Sequence, residues 1–268
     1  MNSLTENSTA QIGIIIPACD EAPAIAAVLQ ELLGKIDGEK FIVAVGVNGS
    51  SDDTAEIARR SPVLVAETEK RGYGHGCQAA IDLVESVCPG VRGYIFFAAD
   101  GASDPGDLAA LVAAFEQGYT FVLGARTGSL ANWRVMSFSH VIANFALAVW
   151  CGLLAGRLFK DLAPLRLIER ELFHTIAPRE MTFGWTIEAQ IAAVKLEAPI
   201  CEISARERPR LAGEQKVSGV TWRRTFSIGC RIVAAGLRTW RRFGRTVEAT
   251  VPRPEAAEQL VPQPQRGL

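Results

Sequence analysis

Apolar runs and amphipathic stretches alternate along the first half of the chain. Ile12–Pro17 is an unbroken apolar run, rich in β-branched residues and closed by proline, which is the pattern of a strand buried on both faces. Ala22–Leu33 places Ile25, Val28, Leu29 and Leu32 at helical spacing. Asp20 and Glu21 stand at its start, where negative charge suits the helix dipole. The same reading predicts strands over Phe41–Val47, Pro62–Ala66, Tyr94–Ala99 and Thr120–Gly124, and helices over Thr54–Arg60, Gly72–Ser86 and Asp107–Gln117. Strand and helix in alternation with short links predict βαβ units and an α/β fold with a mostly parallel sheet flanked by helices. The second half is less regular. It predicts a long apolar helix over Ser137–Leu158, a loop over Asp161–Arg166, helices over Glu169–Ile176 and Gly184–Val194, and a strand over Pro199–Arg206. A polar, basic loop follows over Arg210–Gly219, then an amphipathic C-terminal helix over Val220–Phe243.

The links at the strand ends carry the candidate chemistry. Ala18–Glu21, Asn48–Asp53 and Asp100–Asp104 are rich in Asp, Asn, Ser and Gly. In open α/β sheets, ligands bind beyond the carboxyl ends of the strands, so these three loops should line one crevice. Asp53 reads first as a helix cap, Asp52 reads equally as cap or ligand contact, and Asp104-Pro105 reads as a helix start. No G-x-G-x-x-G fingerprint and no Walker lysine loop is present, and Gly72-Tyr73-Gly74-His75-Gly76 is a weak Gly-rich match.

Composition narrows the class. The 268 residues are 49% hydrophobic, enough for a sizeable core, and the net charge of −1 gives no general affinity for polyanions, which argues against a nucleic-acid partner. Six scattered cysteines form no C-x-x-C pair, which points to a reducing, cytoplasmic setting. Met1–Gln11 lacks the pattern of a secretory signal. The longest apolar run, Val141–Gly156, falls short of the roughly 20 residues of a spanning helix. Val220–Phe243 sets arginines among Trp222, Phe226, Leu237 and Trp240, the pattern of a helix lying peripherally on the inner face of the plasma membrane. The tail, 246–268, is rich in Pro, Glu and Gln and reads as disordered.

Taken in order, the motifs resemble those of family 2 glycosyltransferases. Ile14-Ile15-Ile16-Pro17-Ala18-Cys19-Asp20-Glu21 resembles "V-I-P-x-[YF]-N-E", and Asn48-Gly49-Ser50-Ser51-Asp52-Asp53-Thr54 resembles "D-[DN]-G-S-x-D-x-T". Arg71-Gly72-Tyr73-Gly74 resembles "K-G-Y-G", Asp100-Gly101 sits at the end of the family's "D-A-D-G", and Gly124-Ala125-Arg126 resembles "G-S-R". Asp161-Leu162-Ala163-Pro164-Leu165-Arg166, Gly184-Trp185-Thr186-Ile187-Glu188 and Arg210-Leu211-Ala212-Gly213-Glu214-Gln215-Lys216 are similar to "D-L-G-P-F-R", "G-[WY]-x-x-E" and "R-x-x-G-x-S-K". Within the family, the bacterial enzymes like dolichol-phosphate mannose synthase are the nearest in pattern.

The resemblance implies a GT-A fold over residues 1–245, with a nucleotide-binding half (about 12–126) and an acceptor half (about 127–245). It implies transfer of a sugar from a UDP- or GDP-linked donor to a polyprenyl phosphate or other membrane-associated acceptor. By the family's pattern, Pro17, Ala18, Glu21 and Asn48 hold the nucleoside with Arg71 and Gly72 nearby. Arg126, Arg134, Arg210 and Lys216 contact phosphate, and Asp100 holds Mg²⁺ or Mn²⁺. Glu188 is the implied base or acceptor-orienting group, reading toward Asp161 across the site; a phosphate acceptor, already anionic, needs no strong base. Two positions depart from the pattern. Ala98 stands at the first Asp of "D-A-D", and Val47 at the first acid of "D-D-G-S". The alternative is therefore a degenerate relative that binds a nucleotide or sugar without catalysis.

Overall fold

A computed structural model describes residues 12–127, 132, 135, 138–182, 184–212 and 222–244. Among them lie the strands β1 (Ile12–Ala18), β2 (Phe41–Asn48), β3 (Leu64–Thr68), β4 (Gly93–Phe96), β5 (Phe121–Ala125), β6 (Arg166–Glu169) and β7 (Ile200–Ser204). The helices are α1 (Ala22–Leu33), α2 (Thr54–Ala58), α3 (Tyr73–Val87), α4 (Leu108–Glu116), α5 (Phe138–Ala155), α6 (Arg170–Ile176), α7 (Trp185–Lys195) and α8 (Trp222–Phe243). The strands form one seven-stranded sheet in the order β3-β2-β1-β4-β6-β5-β7. Only β6 runs against its neighbours, β4 and β5. The expected mostly parallel α/β sheet is therefore the observed one.

The unbroken run of β1 is explained by burial on both faces. Ile14 and Ile16 point into a core with Ile25, Leu29 and Leu32 of α1 and Leu111 and Phe115 of α4. Ile15, between them, points the other way, into a core with Ile81 and Val84 of α3 and with Tyr94, Phe96, Phe173 and Trp185. Successive strand side chains alternate faces, so a strand covered twice has no polar position to offer. The chain runs outward from β1 through β2 to β3, then returns to lay β4 on the other flank of β1. That reversal puts the topological switch point between the carboxyl ends of β1 and β4.

The second half corrects one expectation. The loop expected up to Arg166 ends in β6, which lies between β4 and β5 with Arg166 opposite Phe96 and Leu123. An arginine in so short an apolar stretch disguised it. The Arg166 side chain is fully buried, its guanidinium 4.8 Å from the Phe96 ring centre and hydrogen-bonded to Thr186 Oγ1 at 2.9 Å. Helix α8 packs on α7 and α5: a Cβ added at Gly236 would come 2.4 Å from Trp150 Cη2. Among the described residues, no helix is long and apolar enough to cross a membrane. The tail, 246–268, and Met1–Gln11 lie outside the described residues.

Candidate functional site

The turn after β1 and the turn after β2 are stitched together. Asp20 takes a left-handed backbone conformation, φ 52°, which is unusual for a residue with a side chain. Its carboxylate accepts from Ser51 N at 2.6 Å and Ser51 Oγ at 3.0 Å, and its own N–H donates to Ser50 Oγ at 2.9 Å. Arg71 closes the same junction, donating to Asp20 Oδ2 at 3.1 Å and to Gly49 O at 2.9 Å. Asp52 proves to be the cap: it accepts from Ala22 N at 3.0 Å and Thr54 N at 3.1 Å and so ties the starts of α1 and α2 together. Burial opposes its ionisation, but the Thr54 hydroxyl, which also donates to it, and these two N–H groups outweigh burial and lower its pKa. Asp53 occupies the N-cap position without a side-chain cap bond. Asp104 does cap the 3₁₀ turn Pro105–Asp107, as expected, through Gly106 N at 2.8 Å.

The third loop, after β4, is covered by a strap, Ala205–Leu211. The strap runs along it through Arg208 N to Ala102 O and Leu211 N to Asp100 O, both 2.9 Å. In this extended segment the arginines recur at every second residue and each meets acids of the amino-terminal half. Arg206 Nε lies 3.1 Å from Asp107 and 3.2 Å from Asp104. Arg208 grips Glu31 with both fork nitrogens, at 2.7 and 2.9 Å, and this lowers the pKa of Glu31. Arg210 Nη2 lies 3.1 Å from Asp100 Oδ2 and 3.3 Å from Glu21 Oε1. Glu21, Asp100 and Arg210 thus meet at the switch point, between the ends of β1 and β4. Of this ladder, the sequence reading named Arg210 but not Arg206, Arg208 or Glu31. The period-two spacing of arginines after a predicted strand was the available signal.

Three other expected site residues are engaged in architecture. Arg126 and Asp161 form a buried, two-pronged pair: Asp161 accepts from Arg126 N and Nε at 2.8 Å, from Arg126 Nη2 at 2.9 Å and from Asn144 Nδ2 at 2.7 Å. With no exposed surface and four donors upon it, the Asp161 carboxylate holds Arg126 in place. The remaining fork nitrogen of Arg126 turns to Glu207 at 3.3 Å. Glu207, the outward neighbour in this chain of charges, has its pKa raised, by burial first and by Asp100 and Asp161 nearby, with Arg126 opposing. Glu188 is held in the same manner. Its carboxylate, 3% exposed, accepts from Arg179 N at 2.8 Å and Glu180 N at 2.7 Å, and pairs with Arg242 of α8 at 3.2 Å. Gln190, not Glu188, reaches Asp161, at its carbonyl.

The Gly-rich start of α3 is a close-packing device rather than an open phosphate loop. Gly74 N donates to Met181 O at 3.0 Å, and a Cβ at Gly72 (φ 147°) would lie 2.4 Å from the same oxygen. Asn48 is buried against α3, its Oδ1 2.7 Å from where a Cβ on Gly76 would be. Pro17 and Ala18 end β1 beside Gly46 and Val47, and Ala18 is buried. Arg134 and Lys216 lie outside the described residues. A hollow of about 350 Å³, lined by Arg92, Phe115, Tyr119 and Glu169, opens at the opposite end of the sheet.

The chain resembles known proteins in both sequence and fold. The profile of the family described as Glycosyl transferase family 2 matches residues 13–172. An uncharacterized glycosyltransferase of Mycobacterium tuberculosis is 28% identical over 212 residues, 78% of this chain and 90% of that protein. A dolichyl-phosphate hexose transferase of Haloferax volcanii is 29% identical over 215 residues, 80% of this chain and 90% of the relative. The fold matches a crystal structure of glucosyl-3-phosphoglycerate synthase from M. tuberculosis in complex with Mn²⁺, UDP-glucose and phosphoglyceric acid. The TM-score is 0.61 at 19% identity, covering 87% of this chain and 80% of that one. The same enzyme with Mn²⁺, UDP and glucosyl-3-phosphoglycerate matches with a TM-score of 0.63 at 18% identity, over the same shares of the two chains.

Proposed function

The chain belongs to glycosyl transferase family 2 and is a glycosyltransferase, and from that premise we propose that it moves a sugar from a UDP- or GDP-linked donor to a polyprenyl phosphate or other membrane-associated acceptor. The observation that carries this reading is the meeting of Glu21, Asp100 and Arg210 at the switch point between β1 and β4, where open α/β sheets bind nucleotides. Asn48, Arg71 and the stitched turns after β1 and β2 form the adjoining wall, suited to the nucleoside. The fold neighbours bind UDP-glucose and phosphate-bearing acceptors, and the H. volcanii relative is named for a dolichyl-phosphate reaction.

A divalent cation fits this donor set. Asp100 and Glu21 are carboxylates from separate elements facing one point, and in the structure that point is held by a cationic nitrogen. Among the described residues no group of three or more His, Cys, Asp or Glu could hold a metal. Mg²⁺ is commonly held by one or two carboxylates with substrate phosphates completing its shell, so two acids suffice. Mg²⁺ or Mn²⁺ held by Asp100 would neutralise the leaving diphosphate.

The acids of the acceptor half favour an acceptor that is already an anion. Glu188, the implied base or orienting group, and Asp161 are both buried and engaged by arginines and N–H donors. A phosphate oxygen needs no deprotonation. It attacks the sugar's anomeric carbon as the bond to the diphosphate breaks, the nucleoside diphosphate leaves as an anion, and a single displacement inverts the centre.

Exposed side chains support docking at a membrane. On α8, Leu237 and Trp240 are exposed beside Arg231, Arg238 and Arg241, and on the adjoining α5, Phe145 and Leu153 are exposed. Apolar residues beside arginines suit an anionic leaflet, where each basic residue contributes about 1 kcal/mol.

The Ala98 and Val47 departures favour a second reading, a non-catalytic binder. A transfer assay separates the two. Radiolabelled UDP- and GDP-sugars are supplied with Mn²⁺ and polyprenyl phosphate in anionic vesicles. Label passing into the organic phase, abolished by Asp100→Ala, supports the transferase. Nucleotide binding without turnover of any donor, unaffected by Asp100→Ala, establishes the binder.

A further inference from the structure

Arg210 differs from the other two arginines of the strap. Arg206 and Arg208 are fixed to acids on the flank of the donor half, Arg208 through both fork nitrogens to Glu31 and a third bond to Ser103 O at 2.8 Å. Arg210 faces inward and bridges two carboxylates through the single nitrogen Nη2. Its Nε is buried and has no hydrogen-bond partner among the described residues. The strap backbone stays anchored without it, through Arg208 N on Ala102 O and Leu211 N on Asp100 O. Arg210 can therefore let go of its acids without the strap lifting.

We propose that Arg210 is a resident counter-cation of the donor site: its guanidinium occupies the place between Glu21 and Asp100 that a divalent ion takes when the nucleotide arrives. Glu21 is then the second carboxylate of the ion site and stands in for the acid missing at Ala98. This rests on the reading of Asp100 as an ion-holding residue. Two carboxylates facing one point repel unless a cation or a shared proton lies between them, and in the structure Arg210 lies there. Without donor the arginine is that cation. A nucleoside diphosphate brings its own ion and offers the displaced guanidinium a new anionic partner. Ion and nucleotide therefore bind cooperatively, each removing an obstacle to the other, and the ion alone binds poorly.

The test measures Mn²⁺ binding directly, by the loss of the free-ion paramagnetic resonance signal, with and without UDP and independently of sugar transfer. Wild type should bind Mn²⁺ weakly alone and at least about fivefold more tightly with UDP, the lower end of ordinary coupling between sites. Arg210→Gln should bind Mn²⁺ alone more tightly than wild type, with the gain from UDP reduced. Adding Glu21→Gln to that variant should abolish its advantage. Circular dichroism checks folding, and Arg210→Met supplies the same comparison should the glutamine variant not fold. Mn²⁺ binding in both arginine variants no tighter than in wild type would overturn the proposal. So would an advantage that survives Glu21→Gln. If Asp100→Asn leaves Mn²⁺ affinity unchanged in every background, the ion binds elsewhere and the underlying site reading fails; loss of affinity there without any sugar transfer fails only the transferase reading.

Discussion

Replacing Asp161 by asparagine tests whether this acid is scaffold or catalyst. The substitution keeps the shape and removes the charge. Each carboxylate oxygen takes two donors: Oδ2 takes Arg126 N and Nε, and Oδ1 takes Arg126 Nη2 and Asn144 Nδ2. Whichever way the new amide is turned, two buried N–H donors meet an NH₂ group instead of an oxygen. An unsatisfied buried donor costs about 1–3 kcal/mol. The Arg126 guanidinium, 8% exposed, is left with Glu207 as its acidic partner. Breaking a buried pair from one side costs about 3–5 kcal/mol, and the two counts describe the same loss rather than adding. At about 2–4 °C per kcal/mol for a chain of this size, the melting temperature should fall by about 6–20 °C. Urea unfolding followed by circular dichroism gives the free energy, and a thermal scan gives the shift. Arg126→Met in the same chain removes the stranded cation, so the double variant should be more stable than Asp161→Asn alone. A loss below about 1 kcal/mol, together with collapsed sugar transfer, would refute this reasoning and return Asp161 to catalysis.

Two further outcomes follow from the packing and the charges. Gly46→Ala drives a Cβ to 1.9 Å from Gly76 O, which is backbone and cannot swing aside; overpacking of this kind costs about 1–3 kcal/mol or more, and the melting point and nucleotide affinity should fall together because Asn48 rides on the same contact. Glu85 is partly buried, which raises its pKa, but donors on Tyr94, Arg170 and His174 outweigh this and hold it below its ordinary 4.5. A depressed carboxylate stabilises the fold above its unfolded pKa, and that contribution disappears as pH falls through the lower folded value. Glu85→Gln should therefore be about 0.5–1 kcal/mol less stable than wild type near neutral pH, with the gap closing below about pH 4 in paired denaturant titrations.

Much of the sheet was legible because its strands are buried on both faces. Ile12–Ala18 and Phe41–Asn48 present no polar alternation, and each ends in a loop of turn formers, so pattern and punctuation agree. β6 was illegible because its register buries Arg166 at a position where apolar residues are the rule, over Phe96 and beside Thr186. The candidate site was read as residue types and as an order of motifs; that order named Glu21, Asn48 and Asp100, of which the structure brings Glu21 and Asp100 together on Arg210. Pairing was not legible. Nothing along the chain says that Arg126 closes on Asp161, or that Glu188 turns to Arg179 and Glu180, because both contacts depend on how the carboxy-terminal half folds back on the sheet.

Burial then sorts these pairs by what they can do. The acids and arginines at this end of the sheet run from the buried Arg126–Asp161 pair, through Glu207, to Arg210 with Asp100 and Glu21 at the switch point. At the inner end both partners are almost wholly covered and every donor is met, so opening the pair strands a charge at a cost of about 3–5 kcal/mol, more than a working cycle should demand. At the outer end the side chains of Arg210 and Asp100 are 25% and 19% exposed and that of Glu21 8%; water reaches the Arg210–Asp100 contact, so it opens at lower cost than the inner pair. An incoming diphosphate offers the guanidinium at least as good a partner. The same residue types therefore form scaffold where water is excluded and exchangeable contacts where it enters. That is the physical ground for the proposal that Arg210 contacts substrate while Arg126 is held within the fold.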